Sequence, residues 1–518
     1  MDGLSVWHVT REYAGLAEAG GVKDVVRGLA EAQVRAGCRS TVVLPLYGFL
    51  PEPLRSGRAV ASFVVSLPDQ DKGNAFFDES VRVLASEREG VRILLVDSPR
   101  FASARDVYTY TARDEEEDHW KTRGSGHWDA HQKNLLLQRA ALESVLALRE
   151  RPDIFHCHDG HTAFLPALAR EDARYAAALA QARAVVTIHN AGAGYHQEVW
   201  SPDFARLLTG LPGSVIGRGM LGSGVDPLLL AGDYASMVTV SERYAEELVA
   251  ERDSEMGGGL GRLFRERGIA LRGITNGIDP RPWDPRSPGT SGLPSRFDPQ
   301  TGDLAGKREC RGELLRSLGQ PDSGGDPLYA FVGRLTGQKG IDVLFHALKE
   351  LLASSDRRVF VVIGRGEKNM ESMLGWLASG SKPGGRLAFI PRYDQDLASL
   401  IYAASDFFLV PSAYEPCGLT DFIAQLRGSI PVVHRVGGLV KVRDGETGFS
   451  YDEHTPAALA AAVERTTRLF HEQPVLLDQI RRRAFAEVFS LHTWDRVFAE
   501  SYLPLYQTAI PGQAWTRR

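Results

Sequence analysis

Apolar residues in this chain gather into short runs that alternate with longer stretches of helical periodicity. Ser5–Val9, Ser40–Leu44, Arg92–Val96, Ile154–His156 and Ala184–Ile188 are such runs, several of them followed by Gly, Asp or His. Continuously apolar runs that end in polar residues predict parallel strands covered by helices on both faces. Ligands in such sheets bind beyond the carboxyl ends of the strands, so the polar residues there are the first candidates for chemistry. A second series begins at Leu328 and comprises Leu328–Val332, Val359–Ile363, Leu387–Ile390, Phe407–Val410 and Ile430–Val433. Between the two series, 280–326 is rich in Pro, Gly, Ser and Asp, which predicts a linker with an irregular insertion and one helix near Lys307–Leu318. The expected division is an N-terminal α/β domain at 1–280, a linker at 281–325, a C-terminal α/β domain at 326–490 and a final segment at 491–518. Two α/β domains facing a cleft follow from this reading.

Composition narrows the class without changing that picture. A chain of 518 residues is too long for one core, and 43% hydrophobic with 24% charged residues excludes disorder and fibre. A net charge of -5 carries no basic footprint, against a nucleic-acid partner. Cys38, Cys157, Cys310 and Cys417 are scattered, with neither a CxxC pair nor a Cys/His cluster, against a disulfide framework or structural zinc. The opening MDGLSVWHVT lacks the layout of a signal peptide, and no apolar run approaches the roughly 18 residues of a spanning helix. A cytoplasmic protein with no membrane partner is expected. Asp114–His119 is expected to be a solvated acidic loop, and Gly257–Gly261 a mobile loop without the strand a phosphate cradle needs.

Five segments carry candidate chemistry. In Leu16–Val25, LAEAGGVKDV, Gly20 and Gly21 let backbone approach a ligand at a helix N-terminus, which favours an anion such as a diphosphate. The same glycines also suit a tight turn that needs their dihedral freedom. In Phe331–Asp342, FVGRLTGQKGID, Arg334 and Lys339 stand on a glycine-bearing loop after a strand, where two cations can neutralise a departing diphosphate. In Val410–Asp421, VPSAYEPCGLTD, Gly418, Leu419 and Thr420 offer amides at a helix start, and Glu415 can accept from sugar hydroxyls or serve as a cap. FHCHDGHT at Phe155–Thr162 places several imidazoles close together, but no complementary ligand cluster follows, so no metal is assigned. His189, ending VTIHN, either donates to a sugar hydroxyl or is a satisfied core residue.

Taken together these segments resemble glycosyltransferase family 5, the bacterial glycogen synthases and plant starch synthases. LAEAGGVKDV is similar to KTGGLxDV, HCHDGHT to HxHDWHT, VTIHN to TIHN, TVSERYAEEL to TVSPTYAxEI and ITNGIDPRPWDP to LNGIDxxxWNP. GRLTGQKGID is similar to SRLTxQKGLD, PSAYEPCGLTD to PSRFEPCGLTQ, and PVVHRVGGL to PVVRRTGGL, all in family order. The resemblance implies a GT-B type α/β fold: two Rossmann-like domains facing a central cleft, the last helix crossing back to the first. It implies retaining transfer of glucose from ADP-glucose to the non-reducing end of an α-1,4-glucan, without metal or cofactor. By the same resemblance Arg334 and Lys339 hold the diphosphate, Glu415 binds glucose hydroxyls, His189 flanks the transferred sugar and Asp159 lies on the acceptor side. Glu18, Gly20, Gly21, Asp24, Asn276, Cys417, Gly418, Leu419 and Thr420 line the sugar-nucleotide site.

The chain departs from the pattern at three places. Glu18 stands where the family has the lysine of KTGGL, Gly160 where it has tryptophan, and Asp421 where it has glutamine. An anion near the diphosphate opens two alternatives: a different donor or acceptor, such as UDP-glucose or a non-glucan, or a weakened glucan-binding homologue. Lys23, where the family has a small residue, is positioned in sequence to restore the missing charge.

Overall fold

The structure is a computed structural model and describes residues 3–69, 75–250, 257–287, 292–320, 322, 324–354, 357–380 and 386–509. Contacts divide the chain into two units, Met1–Gly277 with Trp494–Arg518, and Ile278–Thr493.

The first unit is built on a nine-stranded sheet. Its strands are β1 (Ser5–Val9), β2 (Arg39–Pro45), β3 (Ala59–Pro68), β4 (Phe76–Arg88), β5 (Val91–Asp97), β6 (Ile154–His158) and β7 (Arg183–Ile188). A small antiparallel hairpin, β8 (Met220–Leu221) and β9 (Gly224–Val225), stands apart, and β10 (Ser236–Thr239) and β11 (Leu271–Gly273) complete the sheet. Spatial order is β11-β10-β7-β6-β1-β2-β5-β4-β3. Every pairing from β11 to β5 is parallel, whereas β4 runs antiparallel to both its neighbours. The central strands are buried residue by residue, while β3 and β4 alternate exposed and buried positions, as a half-solvated antiparallel edge requires. That polar alternation is why no strand is predicted there from apolar runs.

The C-terminal segment belongs to this unit. Trp494, Val497, Phe498, Tyr502, Leu505 and Tyr506 pack in one cluster with Val6, Val25 and Leu29. Gly28, in the helix Val22–Arg35, admits the indole: a Cβ there would stand 2.1 Å from Trp494 Cδ1.

The second unit carries a six-stranded parallel sheet: β12 (Leu328–Val332), β13 (Val359–Ile363), β14 (Leu387–Ile390), β15 (Phe407–Val410), β16 (Ile430–His434) and β17 (Phe449–Tyr451). Its order, β14-β13-β12-β15-β16-β17, is the doubly wound arrangement of dinucleotide-binding folds. Apolar clusters cover both faces, one around Tyr329, Phe360 and Leu344, the other around Ala330, Val361 and Phe408.

Three sequence expectations change. The helix Ala305–Ser317, expected within a linker, instead packs into the second unit: it buries Cys310, Leu314 and Leu315 against Ile401 and Tyr402, and Lys307 Nζ donates to Ala403 O at 2.7 Å. The acidic run is not a loop but ends the helix Ala112–Glu117, because Thr111 and Asp114 form a reciprocal capping box. The glycine segment, whose preceding residues 251–256 lie outside the described ones, closes at Gly259 and opens the helix Leu260–Arg267. Gly261 there packs against backbone, since a Cβ would lie 1.8 Å from Leu248 O. Among the described residues no helix is long and apolar enough to cross a membrane.

Candidate functional site

In the second unit the strand order reverses between β12 and β15, and ligands in such sheets bind at that switch point. The chain leaves β12 through Gly333 and Arg334 into the short turn Gly337–Lys339; it leaves β15 through Pro411 to Thr420. Ala413 N donates to Gln338 O at 2.9 Å, joining the two exits. Gly340 has φ 66°, and a Cβ on it would stand 1.9 Å from Pro411 O, so only glycine permits this approach. The result is that Lys339 Nζ reaches Glu415 Oε2 at 2.6 Å, where Ser412 Oγ also donates at 2.8 Å. Burial would raise the Glu415 carboxyl pKa, but the Lys339 charge and hydrogen bond, Ser412 and Lys441 outweigh it and hold it low. Glu415 therefore stays ionised although it is buried. Arg334 is exposed on the same loop.

The loop after Glu415 is held from beneath. Lys441 Nζ donates to the carbonyls of Cys417 (2.5 Å), Gly418 (2.7 Å) and Gly438 (3.0 Å), and lies 3.1 Å from Asp421 Oδ2. In a trans peptide the carbonyl and the following N–H point in opposite directions. With the carbonyls of Cys417 and Gly418 drawn toward Lys441, the amides of Gly418 and Leu419 face away from it. They stand just before the helix Thr420–Leu426, and Leu419 makes no side-chain cap. Such outward amides form a nest for an anion. Gly437 and Gly438 press against the same loop: added Cβ atoms would lie 2.0 Å from Glu415 O and 2.0 Å from Cys417 O. The GGL motif thus shapes the EPCGLT loop by packing.

In the first unit the order reverses between β1 and β6. Beyond β1, Glu12 is buried, and its Oε2 accepts from Ala19 N (3.1 Å) and Gly20 N (2.6 Å) while Tyr108 OH donates to Oε1 (2.8 Å). The Gly20 amide is therefore already engaged, contrary to a wholly free loop. Neither Gly20 nor Gly21 has positive φ; Gly21 sits at -78°. A Cβ on Gly20 would meet nothing nearer than Glu12 Oε1 at 3.6 Å. Dihedral need does not explain these glycines, and at Gly20 the outer face is open. Glu18 turns back on its own loop, Oε1 accepting from Gly15 N at 2.5 Å and Oε2 lying 3.6 Å from Lys23 Nζ. Lys23 also lies 3.3 Å from Asp24 Oδ2.

Beyond β6, Asp159 adopts φ 58°, ψ 180°, a strained conformation outside glycine. Its Oδ1 accepts from His189 N at 2.7 Å, linking the ends of β6 and β7, and burial raises its pKa to about 7. Gly160 follows because a Cβ would stand 2.1 Å from His196 O. Asn276 is buried, and its Oδ1 takes no hydrogen bond from any described residue. His8, His156 and His158 have ring nitrogens within 4.8 Å of one another. Their rings are stacked, His156 on His158 at 17° and His8 on His156 at 29°, so their in-plane lone pairs do not converge on one ion. Both His156 nitrogens are also taken, by Tyr506 OH and Thr187 Oγ1.

The structure thus brings together Lys339 with Glu415, Asp159 with His189, and Glu18 with Lys23. Sequence reasoning missed Glu12, Ser412 and Lys441. Glu12 was within reach, since it closely follows the first strand; Lys441 lies some twenty residues from its loop and only packing reveals it.

Two doubly wound α/β sheets, with an outward amide nest beside Lys339 and Glu415 at the switch point of the second, are the frame of a GT-B type glycosyltransferase. Residues 5–266 match the family model of the starch synthase catalytic domain, and residues 319–476 that of group 1 glycosyl transferases. A glycogen synthase of Exiguobacterium sibiricum is 31% identical over 98% of this chain and 100% of its own; one of Vibrio cholerae is 30% identical over 99% and 100%. Among solved structures, the catalytic domain of starch synthase IV from Arabidopsis thaliana, bound to ADP and acarbose, is similar with TM-score 0.79 and 27% identity, covering 98% of this chain and 99% of that one. Sucrose-phosphate synthase from Thermosynechococcus elongatus, at TM-score 0.58 and 16% identity, shares the fold. The chain belongs to the glycogen/starch synthase family of glycosyltransferases.

Proposed function

We propose that this enzyme transfers glucose from ADP-glucose to the 4-hydroxyl at the non-reducing end of an α-1,4-glucan, with retention at the anomeric carbon. The observation that carries the reading is the pair of half-buried Lys339 with buried Glu415 beside the outward amides of Gly418 and Leu419. A cation and two fixed amides at one switch point suit a diphosphate, and an ionised, buried carboxylate beside them suits sugar hydroxyls.

In this mechanism Arg334 and Lys339 neutralise the charge that grows on the β-phosphate as the bond from glucose C1 to phosphate oxygen breaks. The acceptor oxygen attacks C1 from the face the phosphate leaves, and its proton passes to a departing phosphate oxygen. Glu415 acts as a binding group: Oε2 is committed to Lys339 and Ser412, which lowers its nucleophilicity. Asp159 acts on the acceptor side, and the likeness of ITNGID to the family motif assigns Asn276 to the donor side. The ADP-bound starch synthase relative supports an adenine nucleotide, and its bound acarbose supports a glucan acceptor.

Incorporation of labelled glucose into glycogen, with ADP-glucose and UDP-glucose compared, tests this. Transfer from ADP-glucose is expected; transfer from UDP-glucose alone overturns the donor assignment, and transfer from neither overturns the activity.

A further inference from the structure

We infer that His189 is held as its Nε2–H tautomer by a directional hydrogen-bond chain anchored at Gln33 and Tyr506, so that its Nδ1 is a permanent acceptor for a substrate hydroxyl. The tautomer stands on the first unit alone; that the hydroxyl is a sugar's rests on the glucosyl-transfer reading.

The chain is continuous. Gln33 Oε1 lies 2.9 Å from His8 Nε2, His8 Nδ1 lies 3.0 Å from His158 Nε2, and His158 Nδ1 lies 3.0 Å from His189 Nε2. A neutral imidazole has one N–H and one lone pair, so each ring passes on the direction it receives. All three rings are neutral near pH 7, because burial lowers His8 to about 4 and His189 to about 3, and takes His158 well below its usual value. If Gln33 presents its carbonyl, His8 carries Nε2–H, His158 carries Nε2–H, and His189 must donate through Nε2.

Gln33 does present its carbonyl. Its Nε2 donates to Tyr506 OH at 3.2 Å, within the ordinary N–H···O range, and its Oε1 accepts from Ser40 Oγ at 2.8 Å, the usual hydroxyl distance. Tyr506, having accepted from Gln33, gives its own proton to His156 Nδ1 at 2.7 Å, which leaves His156 Nε2–H for Thr187 Oγ1 at 2.7 Å. Turning Gln33 over would reverse four histidines at once, so one amide anchor sets them all.

The consequence is chemical. Among the described residues His189 Nδ1 has no hydrogen-bond partner, and the ring is only half-buried. It cannot donate, contrary to the sequence expectation, and it selects for a ligand hydroxyl. Gln33, His8 and His158 are positioning residues that act through it.

The full chain labelled with ¹⁵N-histidine provides the test. Two-bond nitrogen–proton correlation spectra report which nitrogen of each ring is protonated, and His189→Gln assigns the His189 signals. Nε2–H is expected at His8, His158 and His189; Nδ1–H at His189 overturns the proposal. In Tyr506→Phe, Gln33 loses the acceptor that orients it, and signals of His8, His158 and His189 are expected to move together toward a mixture. A change confined to His156 overturns the coupling. Absent glucosyl transfer with these tautomers intact refutes only the function, and reversed tautomers with transfer intact refute only this inference.

Discussion

Replacing Glu18 by lysine separates an active synthase from a disabled one. If the carboxylate faced the diphosphate at about 4 Å in an effective dielectric of about 20, repulsion would cost on the order of 4 kcal/mol, roughly a thousandfold in rate. The structure assigns much less. Glu18 Oε1 is bound to the Gly15 amide at 2.5 Å, Oε2 lies 3.6 Å from Lys23 Nζ, and the side chain is 47% exposed. In a solvent-like dielectric one unit charge at about 4 Å contributes about 1 kcal/mol, and the Lys23 charge cancels part of that beyond the loop. Glu18→Lys changes the charge by two units, about 2 kcal/mol at most, and is therefore expected to change kcat/KM for ADP-glucose by less than about thirtyfold. Initial rates of labelled glucose incorporation across donor concentrations measure it, and a second ionic strength shows whether the residual effect is screened as exposed charge should be. An inert wild type together with a variant at least about a hundredfold faster would refute the reasoning.

Three further outcomes follow from the same geometry. Glu415→Gln removes the charge that Lys339 pairs with, and kcat is expected to fall roughly 10²- to 10³-fold. Mass spectrometry of wild type quenched during turnover should show no glucosylated protein, and an adduct on Glu415 would sink its role as a binding group. Asp421, whose pKa burial raises from 3.8 to about 6 despite Lys441, is better tolerated protonated in the fold. Its contribution is fully present below about pH 4 and is lost as pH rises through about 6, so Asp421→Asn should gain stability over wild type across that window, by at most about 3 kcal/mol. Thermal unfolding of both proteins at pH 4.5 and pH 7 reads the difference, and an Asn variant less stable at pH 7 contradicts it. Gly160→Ala places a Cβ 2.1 Å from His196 O and is expected to cost about 1–3 kcal/mol, read as a lowered Tm; an unchanged Tm counts against the packing account.

The parallel strands were legible because burial on both faces leaves an uninterrupted apolar run, as in Val359–Ile363. The antiparallel strands Ala59–Pro68 and Phe76–Arg88 were not, because one face meets water and their polar residues read as loop. Lys339 and Glu415 could each be nominated from a strand end, but their 2.6 Å contact depends on Gly340 meeting Pro411, across a sequence gap no local pattern spans. The histidine chain was illegible for a similar reason. Its members lie on β1, at the end of β6 and just after β7, and its anchor joins residue 33 to residue 506.

The departures from the family pattern point one way when read with their neighbours. An acidic residue at 18 stands 3.6 Å from the lysine at 23, and one at 421 stands 3.1 Å from the lysine at 441. The missing indole at 160 coincides with the backbone of His196, which leaves no room even for a methyl group. A chain released from catalytic constraint would lose charges and side chains without nearby counterweights. Here each change is met within its own loop or by the segment packed on it, while Arg334, Lys339 and Glu415 stay in place and the amides beside them still face outward. That pattern is what retained glucosyl transfer with a locally rebuilt site would leave, and it argues against a glucan-binding relic.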